Sequence, residues 1–265
     1  MVTPRPPAWS PQNASAFTLP GVVERYHLRA PYPSNLTPFL RGLAVPEADA
    51  LLELGCGTGE ISRSLAPYFA RIDAVDVSGR MLERARAMTN GDHAAIRWIE
   101  ARAEKAPLAG PYALAVAGAS LHWMEWERVL PLIARHLAPT GVLAIVGARD
   151  VPPPWADGLR EAASRYSVIR DWQNADLIGL LESRGLFEAI DKRLLELEPY
   201  TRTIDEYIAA QHATSGLAAD RMTAEDARAY DDEVRALVVP FASEGKLNLA
   251  SYVEADWGTP LDPDR

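Results

Sequence analysis

Ten residues of this 265-residue chain, Leu51-Leu52-Glu53-Leu54-Gly55-Cys56-Gly57-Thr58-Gly59-Glu60, join an apolar run to three glycines spaced two apart. The run from Ala50 to Leu54 is typical of a buried parallel strand. Glycine is favoured where the backbone turns with positive φ or where a ligand lies against the main chain. Helical spacing of Ile61, Leu65 and Phe69 follows directly. The stretch therefore predicts a strand, a ligand-binding turn and a helix.

On both sides of this stretch, strand-like and helix-like segments alternate as far as Gly147. The predicted strands are Ala50–Leu54, Arg71–Val77, Ile96–Glu100, Tyr112–Ala117 and Val142–Gly147. The predicted helices are Leu36–Leu43, Glu60–Phe69, one capped by Ser78, and Trp126–His136. Such alternation predicts an α/β fold, doubly wound, with a mostly parallel sheet covered by helices on both faces.

The alternation of strands and helices ends after Gly147, where the predicted helices follow one another with few strands between them. The predicted helices here are Leu159–Trp172, Asp176–Arg184, Ile204–Thr214 and Ala224–Val239, and the predicted strands are Arg193–Leu197 and Lys246–Ala255. We expect one domain over residues 1–265, in which residues 36–148 form a cofactor-binding core. Residues 149–175 and 201–245 would be cap insertions that bind the substrate, because ligands of such sheets lie at the carboxyl ends of the strands.

The composition of the chain argues against several classes of protein. The net charge of −9 opposes binding to a phosphate backbone, so no nucleic-acid partner is expected. A single cysteine, Cys56, excludes an internal disulfide. Residues 1–12 lack the apolar region of a signal peptide and, with the prolines that follow, predict an irregular arm of about 20 residues. The longest uncharged stretch, Ala106–Met124, is broken by proline and glycine, so no membrane span and a cytoplasmic location are expected.

The glycine turn would suit a dinucleotide or S-adenosylmethionine. A dinucleotide fingerprint needs G-x-G-x-x-G, but its third glycine falls on Glu60 or Ser62 in the two possible registers. A carboxylate at Glu60 would also repel a pyrophosphate at the helix N-terminus. S-adenosylmethionine has no phosphate to be repelled. Asp76, at the end of the next strand, is placed to accept hydrogen bonds from both ribose hydroxyls, although helix capping would explain it equally.

The turn and Asp76 resemble the first two motifs of class I S-adenosylmethionine-dependent methyltransferases of the small-molecule type. Further stretches resemble segments of the same family, so the likeness runs from about Tyr26 to Val146. These stretches are Arg25–Pro33 before the first strand, Ala101–Leu108 beside the adenine, Ala119–Trp123 after the fourth strand, and Leu137–Leu143 before the fifth. The resemblance implies a Rossmann-like fold and S-adenosylmethionine as cofactor, with S-adenosylhomocysteine as product.

The resemblance also implies a set of cofactor-binding residues. They are Tyr26, Glu53, Gly55, Cys56, Gly57, Asp76, Val77, Met81, Ala103, Glu104, Ala117 and His122. The chain departs from the family pattern at Arg102, where an acid commonly binds the adenine amino group, and at Ala113 and Thr140. The adenine contact would then come from the backbone of Ala103 or from Glu104.

Methyl transfer needs little more than alignment of nucleophile, carbon and sulfur in a dry site. A base is needed only when the acceptor must lose a proton, and His122 is the candidate, although it would equally pack or contact the cofactor. Trp123 would face the sulfonium or belong to the core. The candidate substrate contacts are Tyr32, Trp123, Trp155, Tyr207 and His212. The histidines show no metal-ligand spacing, so no metal is expected.

Three functions therefore remain open. The first is methyl transfer from S-adenosylmethionine to an oxygen, nitrogen or carbon nucleophile of a small molecule by in-line displacement. The second is a non-catalytic S-adenosylmethionine-binding protein, for which the departures at Arg102 and Ala113 leave room. The third is an NAD-dependent oxidoreductase, which Glu60 opposes. The acceptor and the oligomeric state are left undetermined by the sequence.

Overall fold

A computed structural model describes residues 4–170 and 175–263. Within these residues, eight strands form one sheet in the order β3-β2-β1-β4-β5-β8-β6, with β7 also paired to β8. The strands are β1 (Ala50–Leu54), β2 (Arg71–Asp76), β3 (Ile96–Glu100), β4 (Tyr112–Gly118), β5 (Leu137–Asp150), β6 (Phe187–Leu194), β7 (Glu198–Thr203) and β8 (Lys246–Pro260). The first five are parallel, and β8 runs antiparallel to β5, β6 and β7. The predicted α/β, mostly parallel architecture is confirmed.

Ten α-helices lie in the same described residues. They are α1 (Pro11–Ala14), α2 (Pro20–Arg25), α3 (Leu36–Leu43), α4 (Glu60–Leu65), α5 (Gly79–Arg86), α6 (Trp126–His136), α7 (Ala156–Tyr166), α8 (Leu177–Glu182), α9 (Ile204–Gln211) and α10 (Ala224–Val238). Ser78 caps α5 as predicted, because its side chain accepts a hydrogen bond from the Met81 amide. None of the described helices is long and apolar enough to cross a bilayer.

Alternate side chains of β1 pack on opposite faces of the sheet, which explains its unbroken apolar sequence. Leu52 and Leu54 belong to a core that includes α6 and α8. Leu51 belongs to the core on the other face, with Leu40 of α3 and Ile61 of α4. The helices therefore cover both faces, as the alternation of strands and helices predicts.

The amino-terminal arm corrects one expectation. Instead of an irregular segment, its described part forms the short helical turns Pro7–Trp9, α1 and Ser15–Thr18. Trp9 is buried in the main core and packs edge-on to Trp126, with ring centroids 6.0 Å apart. Prolines at the first positions of the first two turns favour helical geometry there, because their fixed φ suits a helix start.

Three late elements also differ from the sequence prediction. The strand predicted at Arg193–Leu197 falls on the break between β6 and β7, where Leu195 still donates a backbone hydrogen bond to Val253. The helix predicted at Leu159–Trp172 is α7, which ends at Tyr166; positions 171 and 172 lie outside the described residues. β8 is longer than predicted and extends to Pro260, since it pairs with three strands.

Candidate functional site

The glycine turn between β1 and α4 adopts the backbone geometry that its sequence requires. Gly55 and Gly57 have φ of +67° and +55°, a region that side chains rarely tolerate. The Gly55 amide donates to the Val75 carbonyl of β2 at 2.8 Å, which ties the turn to the neighbouring strand. A Cβ at Gly57 would lie 3.3 Å from the Tyr26 ring. The absence of a side chain at Gly57 therefore lets the Tyr26 ring lie against the turn.

Asp76 ends β2 beside this turn. Its carboxylate accepts hydrogen bonds from the amides of Gly57 and Ser78, each at 2.8 Å. Burial raises the pKa of Asp76, while these backbone hydrogen bonds lower it. Each carboxylate oxygen keeps a lone pair after these contacts, so Asp76 can still accept hydrogen bonds from a ligand.

A cavity of about 310 Å³ lies at the carboxyl ends of β1 to β4, a volume typical of small-ligand sites. Eight of the predicted cofactor-binding residues line this first cavity: Tyr26, Gly55, Gly57, Asp76, Val77, Met81, Ala103 and Glu104. The four parallel strands end together at this edge, which brings residues from distant parts of the sequence into one pocket.

Four residues of the predicted cofactor set do not line this cavity. Glu53 points to the start of α4, where Ser62 donates both its amide and its hydroxyl to the same carboxylate oxygen. Cys56 is buried in the turn, and burial raises the pKa of its thiol. Ala117 faces the core from β4, and His122 lines a different cavity. Their predicted contacts with a cofactor stay predictions.

Arg102, where the sequence departs from the family pattern, belongs to a group of interacting charged side chains. Glu104 accepts a hydrogen bond from the Glu125 amide at 2.7 Å, which fixes the start of α6. Arg102 pairs with Glu104 at 3.4 Å and with Glu125 at 2.6 Å. Because Glu104 is thus engaged, the Ala103 backbone is the freer of the two predicted adenine contacts.

Sequence reasoning missed the part of the first cavity that the amino-terminal arm supplies. The arm residues in its lining are Arg5, Pro11, Ala14, Ser15, Phe17 and Thr18. Arg5 donates to the Met124 carbonyl at 2.8 Å and also to the His122 carbonyl. The signal that would have found them is the presence of Trp9 and Phe17, two large aromatic residues in an arm otherwise free of apolar periodicity.

A second cavity of about 1090 Å³ borders the first. The two share Phe17, Ala119, Ser120 and Trp123 in their linings. Beyond this border the second cavity extends past His122 and along β5, β6 and β8 to α7 and α8. Trp123 thus lies between the two spaces, where the sequence predicts a substrate contact.

His122 lies in the second cavity between aromatic rings. Its ring centroid is 4.5 Å from that of Trp123 and 5.3 Å from that of Trp9. Burial, followed by the positive charges of Arg5 and Arg29, lowers the pKa of His122 to about 3. The imidazole is therefore neutral at physiological pH, and a group with so low a pKa is a poor proton acceptor in catalysis.

The other predicted substrate residues are not part of the lining of either cavity. Tyr32 packs in the core around β1, and its hydroxyl lies beside Gly118. Trp155 donates its indole N–H to the Tyr207 hydroxyl at 2.9 Å, inside a core formed by α7, α9 and α10. His212 is buried and bonds to the Leu217 carbonyl and to a carboxylate of α10. The predicted contacts of these four residues with an acceptor stay predictions.

In residues 4–170 and 175–263, no three His, Cys, Asp or Glu side chains are grouped as a metal site would require.

Comparisons with known proteins agree with this geometry. A family model described as a methyltransferase domain matches residues 51–141. The trans-aconitate 2-methyltransferase of Azoarcus sp. is 31% identical over 49% of this chain and 51% of its own length. The malonyl-[acyl-carrier protein] O-methyltransferase of Halalkalibacterium halodurans is 30% identical over 56% and 57%. The chain thus spans about half the length of the curated relatives it matches.

A solved structure from Anaeromyxobacter dehalogenans, described as that of a candidate type II methyltransferase, has the same fold. Its TM-score is 0.64 at 23% identity, with 87% of this chain and 97% of that one covered. The family model falls on the turn, Asp76 and the strands that border the first cavity. Residues 51–141 therefore match a methyltransferase domain, and the chain is similar in sequence and fold to the class I S-adenosylmethionine-dependent methyltransferases.

Proposed function

We propose that the protein transfers a methyl group from S-adenosylmethionine to an oxygen, nitrogen or carbon nucleophile of a small molecule. The observation that carries the proposal is the contact between the two cavities at Phe17, Ala119, Ser120 and Trp123. A cofactor in the first cavity and an acceptor in the second would meet at this border. Both relatives reported above are named as methyltransferases, which supports the same reaction for this chain.

The residues of the first cavity fit S-adenosylmethionine. Asp76 would accept hydrogen bonds from the ribose hydroxyls, and Gly57 and Tyr26, which lie against each other, would form one wall of the site. Ala103 and Met81 would contact the adenine part. Glu60 begins α4 with a carboxylate, to which the Tyr32 amide donates at 3.2 Å. A pyrophosphate would be repelled there, which disfavours an NAD-dependent oxidoreductase.

When bound, S-adenosylmethionine supplies an activated methyl carbon on a sulfonium. The chain's own contribution would be to hold the acceptor in line and to exclude water, which can lower a barrier by ~7–11 kcal/mol. The aromatic side chains of Trp9, Phe17 and Trp123 provide apolar walls for this purpose. Neutral His122 would orient the acceptor by hydrogen bonding rather than remove its proton.

We further propose a division of labour between residues 36–148, which bind the cofactor, and cap residues 149–175 and 201–245. The separate core around Trp155, Tyr207 and Tyr230 supports a cap that packs largely on itself. A cytoplasmic location and the absence of a nucleic-acid partner are also proposed, on the single cysteine and the net charge of −9.

Two measurements test the proposed function. Calorimetric titration with S-adenosylmethionine, S-adenosylhomocysteine and NAD should give binding of the first two alone. Screening small acids, amines and alcohols for S-adenosylhomocysteine release should then identify an acceptor. Cofactor binding without release for any acceptor would favour the non-catalytic alternative, and binding of NAD would contradict the cofactor assignment.

A further inference from the structure

Arg29 lines the second cavity close to its border with the first. Its guanidinium lies 5.2 Å from the Tyr26 ring centre and donates one long hydrogen bond, 3.4 Å from Nη1 to the Tyr26 hydroxyl. No ion pair of the described residues includes Arg29. By contrast, Arg149 in the same cavity pairs with Glu254 at 3.1 Å. Arg29 thus offers unused donors to a ligand.

His122 offers a second unused donor in the lining of the same cavity. Its ring lies between Trp9 and Trp123 in tilted contacts, and no hydrogen bond from its ring nitrogens to any described residue is present. The charge of Arg29 is among the influences that keep this imidazole neutral. A neutral imidazole carries one N–H donor, so the pair presents a cation and a donor to the same space.

The border between the cavities holds no group that could act as a strong base. Of its four shared residues, Phe17, Ala119 and Trp123 have no titratable side chain, and the Ser120 hydroxyl donates to the Leu54 carbonyl at 2.6 Å. An acceptor that must lose a proton would find no partner there. An acceptor that is already a nucleophilic anion needs none.

We propose that the methyl acceptor is a small organic acid, whose carboxylate is bound by Arg29 and His122 and receives the methyl group as an ester. This inference rests on the proposed function. Guanidinium binds carboxylate with charge-assisted hydrogen bonds, often in pairs. A carboxylic acid with a pKa of about 4 is ionised throughout the neutral range, so it enters the site as the nucleophile.

The transfer balances without a proton acceptor. A lone pair of a carboxylate oxygen forms the new C–O bond while the S–CH₃ bond breaks and its electron pair leaves on sulfur. The carboxylate loses its negative charge and the sulfonium its positive charge, so the products are a methyl ester and a neutral thioether. Arg29 and His122 act by holding the acid, and neither gains nor loses a proton.

The first experiment uses the intact protein with S-adenosylmethionine labelled in the methyl group. The acceptors are small mono-, di- and tricarboxylic acids, each tested beside its primary amide. Acids should be methylated and amides not, and alkali should release the label as methanol, because methyl esters hydrolyse whereas N-, C- and ether-linked methyl groups do not. The kcat/KM should be flat between about pH 6 and pH 9, since the acid stays ionised and His122 stays neutral.

The second experiment compares Arg29→Gln with Arg29→Lys, and uses Arg41→Gln as control, since Arg41 lies over the exposed ring of Tyr68. Arg29→Gln should raise the KM of the acid at least tenfold, with partial recovery in Arg29→Lys. The acid should also raise the melting temperature of the S-adenosylhomocysteine-loaded wild type but not of Arg29→Gln. Affinity for S-adenosylhomocysteine should change less than twofold.

Three results would overturn the proposal. One is methylation of amines or alcohols alone. Another is an absence of both methylation and thermal stabilisation by every acid tested. The third is that Arg29→Gln weakens S-adenosylhomocysteine but not 5′-methylthioadenosine, which lacks the amino-acid carboxylate, because Arg29 would then bind the cofactor. If the wild type does not bind S-adenosylhomocysteine at all, the proposed function itself fails.

Discussion

The two cavities are built differently. The first takes most of its lining from turns that directly follow β1, β2, β3 and β4. Most of its residues therefore occupy the same position, immediately after the carboxyl end of a strand. The second takes its lining from the arm, from β5, β6 and β8, and from α7, α8 and the loop after α9. Local sequence therefore encodes the first cavity, whereas the second depends on how distant segments pack. The following experiments test this distinction.

The largest effect is expected from Gly57→Val. A β-branched side chain at φ +55° strains the turn, and its Cβ would meet the Tyr26 ring at 3.3 Å. Affinity for S-adenosylhomocysteine should fall at least ~100-fold, about 3 kcal/mol. Isothermal calorimetry measures this, with Gly42→Val as control, because nothing lies within 4 Å of an added Cβ at Gly42. Near-normal affinity of a folded Gly57→Val protein would contradict the backbone-lined first cavity.

Asp76→Ala should have the next largest effect on cofactor binding. The carboxylate faces the first cavity while it holds the Gly57 amide at 2.8 Å. Its removal takes a charged acceptor from two ribose hydroxyls, so binding should weaken by ~1.5–3 kcal/mol. The control is Asp49→Asn, whose side chain is exposed and outside the cavity. An unchanged dissociation constant for S-adenosylhomocysteine would remove Asp76 from the cofactor site.

Glu53→Gln should change how the free energy of unfolding depends on pH. Burial raises the pKa of Glu53 from 4.5 to about 7, despite its hydrogen bonds from Ser62. The folded state therefore holds the proton more tightly than the unfolded state, and the free energy of unfolding falls as pH rises from about 4.5 to 7. Glu53→Gln should remove this fall and raise stability at pH 8 by roughly 1–2 kcal/mol.

Urea unfolding of wild type and Glu53→Gln at pH 5 and pH 8 measures this difference. The free energy of unfolding of the variant should exceed that of the wild type by more at pH 8 than at pH 5. An equal change at both pH values would contradict a raised pKa of Glu53 near 7 in the folded protein.

The smallest effect on cofactor binding is expected from Tyr207→Phe. The variant loses the hydroxyl that accepts the Trp155 indole N–H at 2.9 Å within the cap core. Stability should fall by about 1 kcal/mol, which lowers the melting temperature by roughly 2–4 °C. Cofactor affinity should stay within threefold, because Tyr207 lies outside the first cavity. Tyr68→Phe, at a half-exposed tyrosine, is the control. A larger loss of cofactor affinity would contradict the proposed division between a cofactor-binding core and a cap.

The sequence was a good guide wherever a pattern depended on near neighbours. The bounds of β1, β3, α3 and α6 match the predicted segments residue for residue. Strand periodicity, helix spacing and capping all act within a few residues, so they can be read from the chain itself. The same locality explains why most of the predicted cofactor residues line one cavity.

The aromatic residues of the cap show the opposite case, because their role depends on packing between remote segments. Trp155 and Tyr207 suit a ligand pocket and a protein core equally by composition, and only the packing of α7, α9 and α10 decides between them. The arm was misjudged in the same way. Its short turns contain too few residues to show a period, and they are held by contacts such as Trp9 with Trp126.

By itself, the sequence determined the parallel α/β core, the glycine turn and the placement of Asp76 beside it, since each follows from local spacing and from the shared direction of parallel strands. Only the tertiary structure decided which side chains meet across the chain. It closed the first cavity with the arm, placed His122 among aromatic rings and cations so that it stays neutral, and left Arg29 without a carboxylate at the border of the second cavity. Burial and the distances between charges set these properties, and both arise only when remote segments pack together.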